Sequence, residues 1–350
     1  MEKLLCKKYF AASNSAEDFV NYFPQIFNRE SCSVIYIIKG GPGTGKSRFM
    51  RDVATAAEGR GLSVRYYYCS SDSESLDGII IEEMRVGILD GTAPHTFEPT
   101  LSGAFEETIN LGEFWNASAL RARRDEIEAL TCRKSEAYKR CYKLLGAYGK
   151  IIETEESIIT PYVDRKKLCG TVKRWLHRLP QSQGKDAQIA LCRGVGMNGS
   201  TKFDSYEKNA KILFTVGDSF HLAHLFIDAI KDEAQKRNMS IEYSCDPIIP
   251  RYTDALLLSE AGIAFVVGDD GERKVNIKRF IDEKGFKANR ERLKKLENSA
   301  KGLEALVYES FCEVRKYHFA LEKIYAEAMD FSAKEQYTEN FIKKLFKNGK

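Results

Sequence analysis

Apolar and polar positions along the chain fall into two alternating patterns, and the pair of patterns occurs twice. In the first pattern, apolar residues come in short runs rich in β-branched and aromatic side chains. Residues 33–38 (Ser-Val-Ile-Tyr-Ile-Ile), 62–68, 79–81 and 86–89 have this character. Such runs predict buried strands. Between the first two, Phe49, Met50, Val53, Ala54 and Ala57 recur at helical spacing, and Gly59 and Gly61 end the helix. Upstream, Tyr9-Phe10-Ala11-Ala12 predicts a short strand, and Phe19, Tyr22, Phe23 and Ile26 predict a helix packed on the sheet.

The second pattern begins at Asn116. Ala119, Leu120, Ile127, Leu130, Tyr138, Tyr142, Leu145 and Tyr148 lie at three-, four- and seven-residue spacings among many charges, which predicts long helices. Pro161 marks a break, and Val172, Trp175, Leu176 and Leu179 belong to a later helix. Residues 181–187 read as a linker, and the strand pattern then returns. An offset of 177 residues carries Gly40 to Gly217, Ser63 to Ser240, Tyr66 to Tyr243, Asp77 to Asp254, Glu83 to Glu260 and Gly91 to Gly268. The same offset lays 64–68 on 241–245, 79–81 on 256–258 and 86–89 on 263–266. So regular a register marks an internal repeat. The helical pattern follows again, with Phe286, Leu293, Leu296, Leu303, Leu306, Phe311, Val314, Leu321, Ile324 and Tyr325 as its apolar positions.

The expected architecture is α/β: a tandem pseudo-repeat of parallel-sheet cores, each followed by a helical hairpin. Its boundaries are a first core at 1–115, a helical hairpin at 116–180, a second core at 188–276 and a C-terminal helical segment at 277–350.

The strand at 33–38 runs into Gly40-Gly41-Pro42-Gly43-Thr44-Gly45-Lys46-Ser47, which matches G-x-x-x-x-G-K-[ST]. Glycines there let consecutive backbone N–H groups turn inward around a phosphate. The following helix adds the positive end of its dipole. Lys46 can reach the β- and γ-phosphates, and Ser47 offers a hydroxyl to Mg²⁺. The apolar run 86–89 ends in Asp90, a carboxylate placed to hold the same Mg²⁺ or its water shell. Asp72, Asp77 and His95 are further candidates. Either aspartate can approach the metal or a second substrate, or serve as a turn or cap residue. His95 can sense the γ-phosphate or assist proton transfer, or be held by loop hydrogen bonds. Arg121, Arg123 and Arg124 can clamp a phosphate from a moving lid, or form a solvated helix face.

The second half keeps the frame and loses the chemistry. Lys46 maps to Ala223, Ser47 to His224 and Asp90 to Val267, and Asp218 would repel a phosphate. No Mg-nucleotide site is expected there. His221 and His224 lie at i, i+3 without an evident third metal ligand. Gly194-Val195-Gly196-Met197-Asn198-Gly199 is formally G-x-G-x-x-G, with Asp218 at a fitting distance. The short stretch before the next strand leaves no room for the crossover helix of a dinucleotide fold.

Composition narrows the classes. Of 350 residues 43% are apolar and 30% charged, and the net charge is only +4 from 54 basic and 50 acidic side chains. That argues against a broad nucleic-acid-binding face. No apolar run approaches the roughly eighteen residues of a membrane span, and the N-terminal apolar stretch is too short for a signal peptide. Nine cysteines, with no C-x-x-C pair, fit reduced thiols in the cytoplasm.

The glycine loop, Cys69-Ser70-Ser71-Asp72, Ser75-Leu76-Asp77-Gly78 and Ile88-Leu89-Asp90-Gly91-Thr92-Ala93-Pro94-His95 together resemble an uncharacterised bacterial family of ATP-binding proteins, or ATPases, with two P-loop halves per chain. The resemblance spans the chain and is strongest over 33–115. It implies two P-loop nucleotide-triphosphatase domains, the second usually intact. Here the second loop departs from that pattern. No N-K-x-D string for guanine recognition is present, which favours ATP over GTP.

Three functions follow as expectations. The first is Mg-dependent ATP hydrolysis coupled to conformational change, with the helical hairpins passing the state to a protein partner. The second is a small-molecule or nucleotide kinase, and the third a non-catalytic nucleotide sensor. Asp90 is followed by Gly91 rather than by a water-activating Glu, so a base would come from Asp72, Asp77, Glu82, Glu83 or His95, or turnover would be slow.

Overall fold

The computed structural model describes residues 7–94, 96–180, 184 and 186–347. The first core opens with β1 (Lys7–Phe10), the antiparallel pair β2 (Ala12–Ser15) and β3 (Asp18–Asn21), and the one-turn α1 (Phe23–Ile26). β4 (Val34–Lys39) leads through the glycine loop into α2 (Lys46–Glu58). Next come β5 (Val64–Tyr68), β6 (Leu76–Ile81), β7 (Val86–Asp90) and β8 (Glu106–Asn110). The sheet order is β1-β5-β6-β7-β4-β8.

The all-parallel core expected from the strand runs is corrected here. β6 is antiparallel to both β5 and β7, and the other pairings are parallel. The connections 69–75 and 82–85 are turns, and a parallel crossover needs about a dozen residues or more. The helix expected over 19–26 is also shorter. Phe19 belongs to β3, and Pro24, at the start of α1, cannot donate the backbone hydrogen bond that a helix continuing from upstream would need.

Three helices follow: α3 (Ala117–Ala122), the long α4 (Arg124–Ile159) and α5 (Arg165–His177). The second core contains β9 (Ala187–Ile189), the hairpin β10 (Arg193–Gly196) and β11 (Gly199–Lys202), α6 (Ser205–Asn209), β12 (Ile212–Gly217), α7 (Ala223–Lys236), β13 (Ile241–Cys245), β14 (Thr253–Leu258), β15 (Ile263–Val267) and β16 (Lys274–Asn276). Its sheet order, β16-β12-β15-β14-β13-β9, matches the first strand for strand, and β14 is again antiparallel to both neighbours. The repeat read from the sequence is therefore a repeat of topology. The chain closes with α8 (Glu283–Glu327) and α9 (Phe331–Lys347). Within the expected linker at 181–187, residues 181–183 and 185 lie outside the described residues.

The two sheets share one apolar cluster. Ile35, Ile37 and Leu89 of the first lie in it with Ala255, Leu257, Ala264 and Val266 of the second. Arg65 and Glu242, equivalent positions of the repeat, meet there: Nη1 donates to Oε2 at 2.8 Å, and the Tyr9 hydroxyl donates to Glu242 at 2.7 Å.

The helices do not form a hairpin within each half. The Asn116 amide donates to the Ala328 carbonyl at 2.7 Å, and the Asp282 amide to the Tyr162 carbonyl at 2.9 Å. Each long helix thus begins where the other ends, and α4 lies antiparallel to α8. The short helices then cross over. Trp175 of α5 packs on Phe214 and Phe226 of the second core. Phe341 of α9 packs on Tyr36 and Phe49 of the first. An offset of 166 residues carries Asp164 to Asp330 and Trp175 to Phe341, so the exchange is itself part of the repeat.

This packing predicts a local effect. A chain stopped after Asp330 should show faster amide exchange in α2 and β4 while α7 and β12 keep their protection. Equal loss in both cores would refute the exchange.

Candidate functional site

The glycine loop turns at two left-handed positions, Gly43 (φ +70°) and Gly45 (φ +79°), the second being the N-cap of α2. Among the described residues no side chain caps this helix, so its first-turn amides face the loop without a side-chain acceptor there. Lys46 folds back over the loop. Its Nζ donates to the Gly40 and Gly41 carbonyls, each at 2.9 Å, and stands 3.5 Å from Asp90 Oδ2. β7 pairs directly with β4 and ends at Asp90. The Oδ1 of Asp90 accepts the Thr92 amide at 2.9 Å and the Thr92 hydroxyl at 2.6 Å.

Ser47 joins the cluster from the first turn of α2. The Ser47 Oγ accepts the Leu76 amide at 3.0 Å, which ties the start of β6 to the loop. Because β6 is antiparallel to β7, with Gly78 opposite Leu89, its first residues lie at the edge where β7 ends, and Asp77 stands there at the bulge against β5 with its carboxyl at the Cys69 thiol. Lys46, Ser47 and Asp90 are thus brought together, and Asp77 turns to Cys69 at the same sheet edge. Ser47 and Asp90 offer the hard oxygen donors that suit Mg²⁺.

The same antiparallel strand removes two of the base candidates. Glu82 and Glu83 fall at the opposite edge, where Glu82 pairs with Lys7 at 3.2 Å and Arg65 at 2.5 Å, and Glu83 accepts the Ser63 amide. The carboxylate of Asp72 accepts the Glu74 amide and the Asn198 side-chain amide at 3.1 Å. Among the described residues no hydrogen bond or ion pair joins Asp72 to Lys46 or Asp90. His95 lies outside the described residues.

The C-terminal helices cover the loop, which the sequence did not signal. A Cβ on Gly43 would stand 2.4 Å from the Glu322 carbonyl oxygen, and one on Gly41 would stand 2.9 Å from the Tyr325 ring. The Glu322 carboxyl is held below the usual range, chiefly by His318 at 3.5 Å, with help from Lys46 and the Gly43 amide. From α4, Lys134 comes close enough to feel Lys46, although burial is the larger cause of its lowered pKa. At Gly45 the neighbours are Phe331 and Lys334 of α9. Only the comparison of the two halves sets Lys334 apart, opposite Leu168.

Of the arginine cluster, Arg123 pairs with Glu126 and Glu327, both at 2.8 Å. Arg121 and Arg124 line an open groove of about 600 Å³ with Glu128, Lys139 and Tyr325. Tyr325 is shared between this groove and the glycine loop.

The second half fills its equivalent place with its own side chains. Asp218 Oδ1 accepts the Ala223 amide at 3.0 Å, so a carboxylate takes the first amide of α7. His221 pairs with Glu155 at 2.9 Å, and His224 stacks on Tyr252 with ring centroids 3.6 Å apart. Among the described residues no group of three or more His, Cys, Asp or Glu could hold a metal ion. The G-x-G-x-x-G string is the β10–β11 hairpin. A Cβ on Gly196 would stand 2.3 Å from the Ser70 carbonyl oxygen, so that glycine serves close packing against the first half.

Comparison with protein-family models, with curated proteins and with solved structures gives no match for this chain. No helix among the described residues is long and apolar enough to cross a membrane.

Two outcomes follow from this geometry. Gly43→Ala adds a collision with α8 to left-handed strain, whereas Gly61→Ala (φ +81°) adds strain alone, with nothing within 4 Å of its Cβ. Strain of this kind costs about 1–2 kcal/mol, so urea unfolding should show Gly43→Ala the more destabilising of the two. The second outcome concerns pH. Burial alone would lower the His221 pKa, but Glu155, Asp218 and Asp246 outweigh it and raise the value above 6.5. A raised folded-state pKa contributes stability that is present below the unfolded value and lost as pH rises through the folded one. Stability should therefore fall as pH climbs from about 6.5, and His221→Gln should flatten that slope.

Proposed function

We propose that this chain is an ATP-binding P-loop protein with one working site, a Mg-dependent ATPase whose nucleotide state is passed to the helices. The observation that carries this reading is the convergence of Lys46, Ser47 and Asp90 at a helix N-terminus that no side chain among the described residues caps. The glycine-loop amides and the Lys46 ammonium would take the phosphates. Ser47 and Asp90 would hold Mg²⁺, which when bound neutralises charge developing on the transferred phosphoryl group. Lys46 must leave the Gly40 and Gly41 carbonyls to reach a phosphate, and it does so with Asp90 beside it as a counter-charge. The contact of Gly43 with the backbone of Glu322 gives the helices a direct view of the loop's occupancy.

A kinase reading has one observation of its own. The groove lined by Arg121, Arg124 and Lys139 beside Tyr325 could seat an anionic second substrate.

The test is phosphate release from Mg-ATP by the wild type, Lys46→Ala and Asp90→Ala. The expected result is release by the wild type and a loss of about a hundredfold or more in each variant, the scale of removing one charge-stabilising group. Binding through Lys46 without release would support a sensor, and release only in transfer to an added substrate would support a kinase. No binding of ATP or GTP by the wild type would end the P-loop reading.

A further inference from the structure

Lys334 lies in the first turn of α9 and is 1% exposed. Its side chain ends against the glycine loop, with Cε 3.5 Å and Nζ 3.6 Å from where a Cβ on Gly45 would stand. Among the described residues no hydrogen bond or ion pair reaches its ammonium. Asp52 is the acid nearest in effect, and that carboxylate is already paired with Arg48 at 3.0 Å. Burying an ammonium without a counter-ion is costly, and protein interiors avoid it unless a partner arrives.

The other half shows what packing alone requires here. In both short helices the starting aspartate caps the third residue on, Asp164 Oδ1 accepting the Lys167 amide and Asp330 Oδ1 the Ala333 amide, each at 2.9 Å. This register places Leu168 opposite Lys334, and the loop register places Leu222 opposite Gly45. Leu168 and Leu222 are buried in one apolar cluster. Where the loop has lost its glycines and lysine, the chain fills this place with two leucines. Where the loop is intact, it holds a lysine against a glycine.

We propose that Lys334 is a phosphate-binding residue of the glycine-loop site, delivered by the terminal helix of the opposite half. This rests on the P-loop reading above and extends it: the anionic tail of a di- or triphosphate is shared between Lys46 of the loop and Lys334 of α9. The ligand supplies the missing counter-charge, and α9 is held to the loop when phosphate is bound. Inorganic pyrophosphate, which carries the phosphates without a base or sugar, is a sufficient probe.

The experiment measures pyrophosphate and Mg-ATP affinity by calorimetry, together with ligand-free thermal stability. It uses the full-length wild type, Lys334→Leu, Lys334→Gln and Lys46→Ala. Lys334→Leu installs the residue of the other half, so its ligand-free melting temperature should equal or exceed that of the wild type. Both Lys334 variants should bind pyrophosphate about ten- to a hundredfold more weakly, the scale of one hydrogen bond to a charged group. Wild-type affinity in both, with affinity lost in Lys46→Ala, would overturn the role of Lys334 and leave the P-loop reading standing. A marked fall in the ligand-free melting temperature of both variants would also count against it, since the lysine would then be a packing residue. If the wild type binds neither pyrophosphate nor Mg-ATP, the P-loop reading fails and the proposal falls with it.

Discussion

The constraint on which the rest depends is the exchange of the short terminal helices. The apolar face of α2 is closed by Tyr337, Phe341 and Leu345 from the far end of the chain, and that of α7 by Leu168, Val172 and Leu176 from the middle. Neither core is complete without a segment that follows the other. The antiparallel pair α4 and α8 spans the distance between them. The glycine loop therefore lies at a junction between halves, with strands of one half beneath it and helices of the other above it.

Within this frame the two halves have parted in chemistry. The first keeps a glycine at its helix start and a lysine folded over carbonyls beside the acid that ends β7. The second closes its equivalent turn with Asp218 and sets His221 and His224 into contacts with Glu155 and Tyr252. The second half supplies shape and helices, and the first supplies the convergent polar groups.

The sequence was most legible where spacing itself carries the chemistry. The eight residues from Gly40 to Ser47, the acid ending the run before Gly91 and the 177-residue repeat all correspond to features of the fold. Strand direction was not legible in the run 79–81, because a buried strand reads the same whether its neighbours are parallel or antiparallel; the short turns around it decided the matter. Helical periodicity marked Trp175 as apolar, yet periodicity says which face is buried and not which core receives it. Lys334 was invisible beside the loop for the same reason, and Glu322 and Tyr325 reach the loop only because α8 runs back along α4 to the first half. Asp72 looked like a candidate because it stands in a polar loop near the motif, and its carboxylate is instead taken up by its own turn and by Asn198.

The meeting of Arg65 with Glu242 has a consequence for how such a chain can change. In an assembly of two identical subunits, a residue beside the two-fold axis faces its own copy. Equivalent positions of the two halves here carry opposite charges and pair at 2.8 Å. A first half meeting another first half would set arginine against arginine, and two second halves would set glutamate against glutamate. The pair gives the junction two distinct sides, so that like joined to like would place equal charges at its centre.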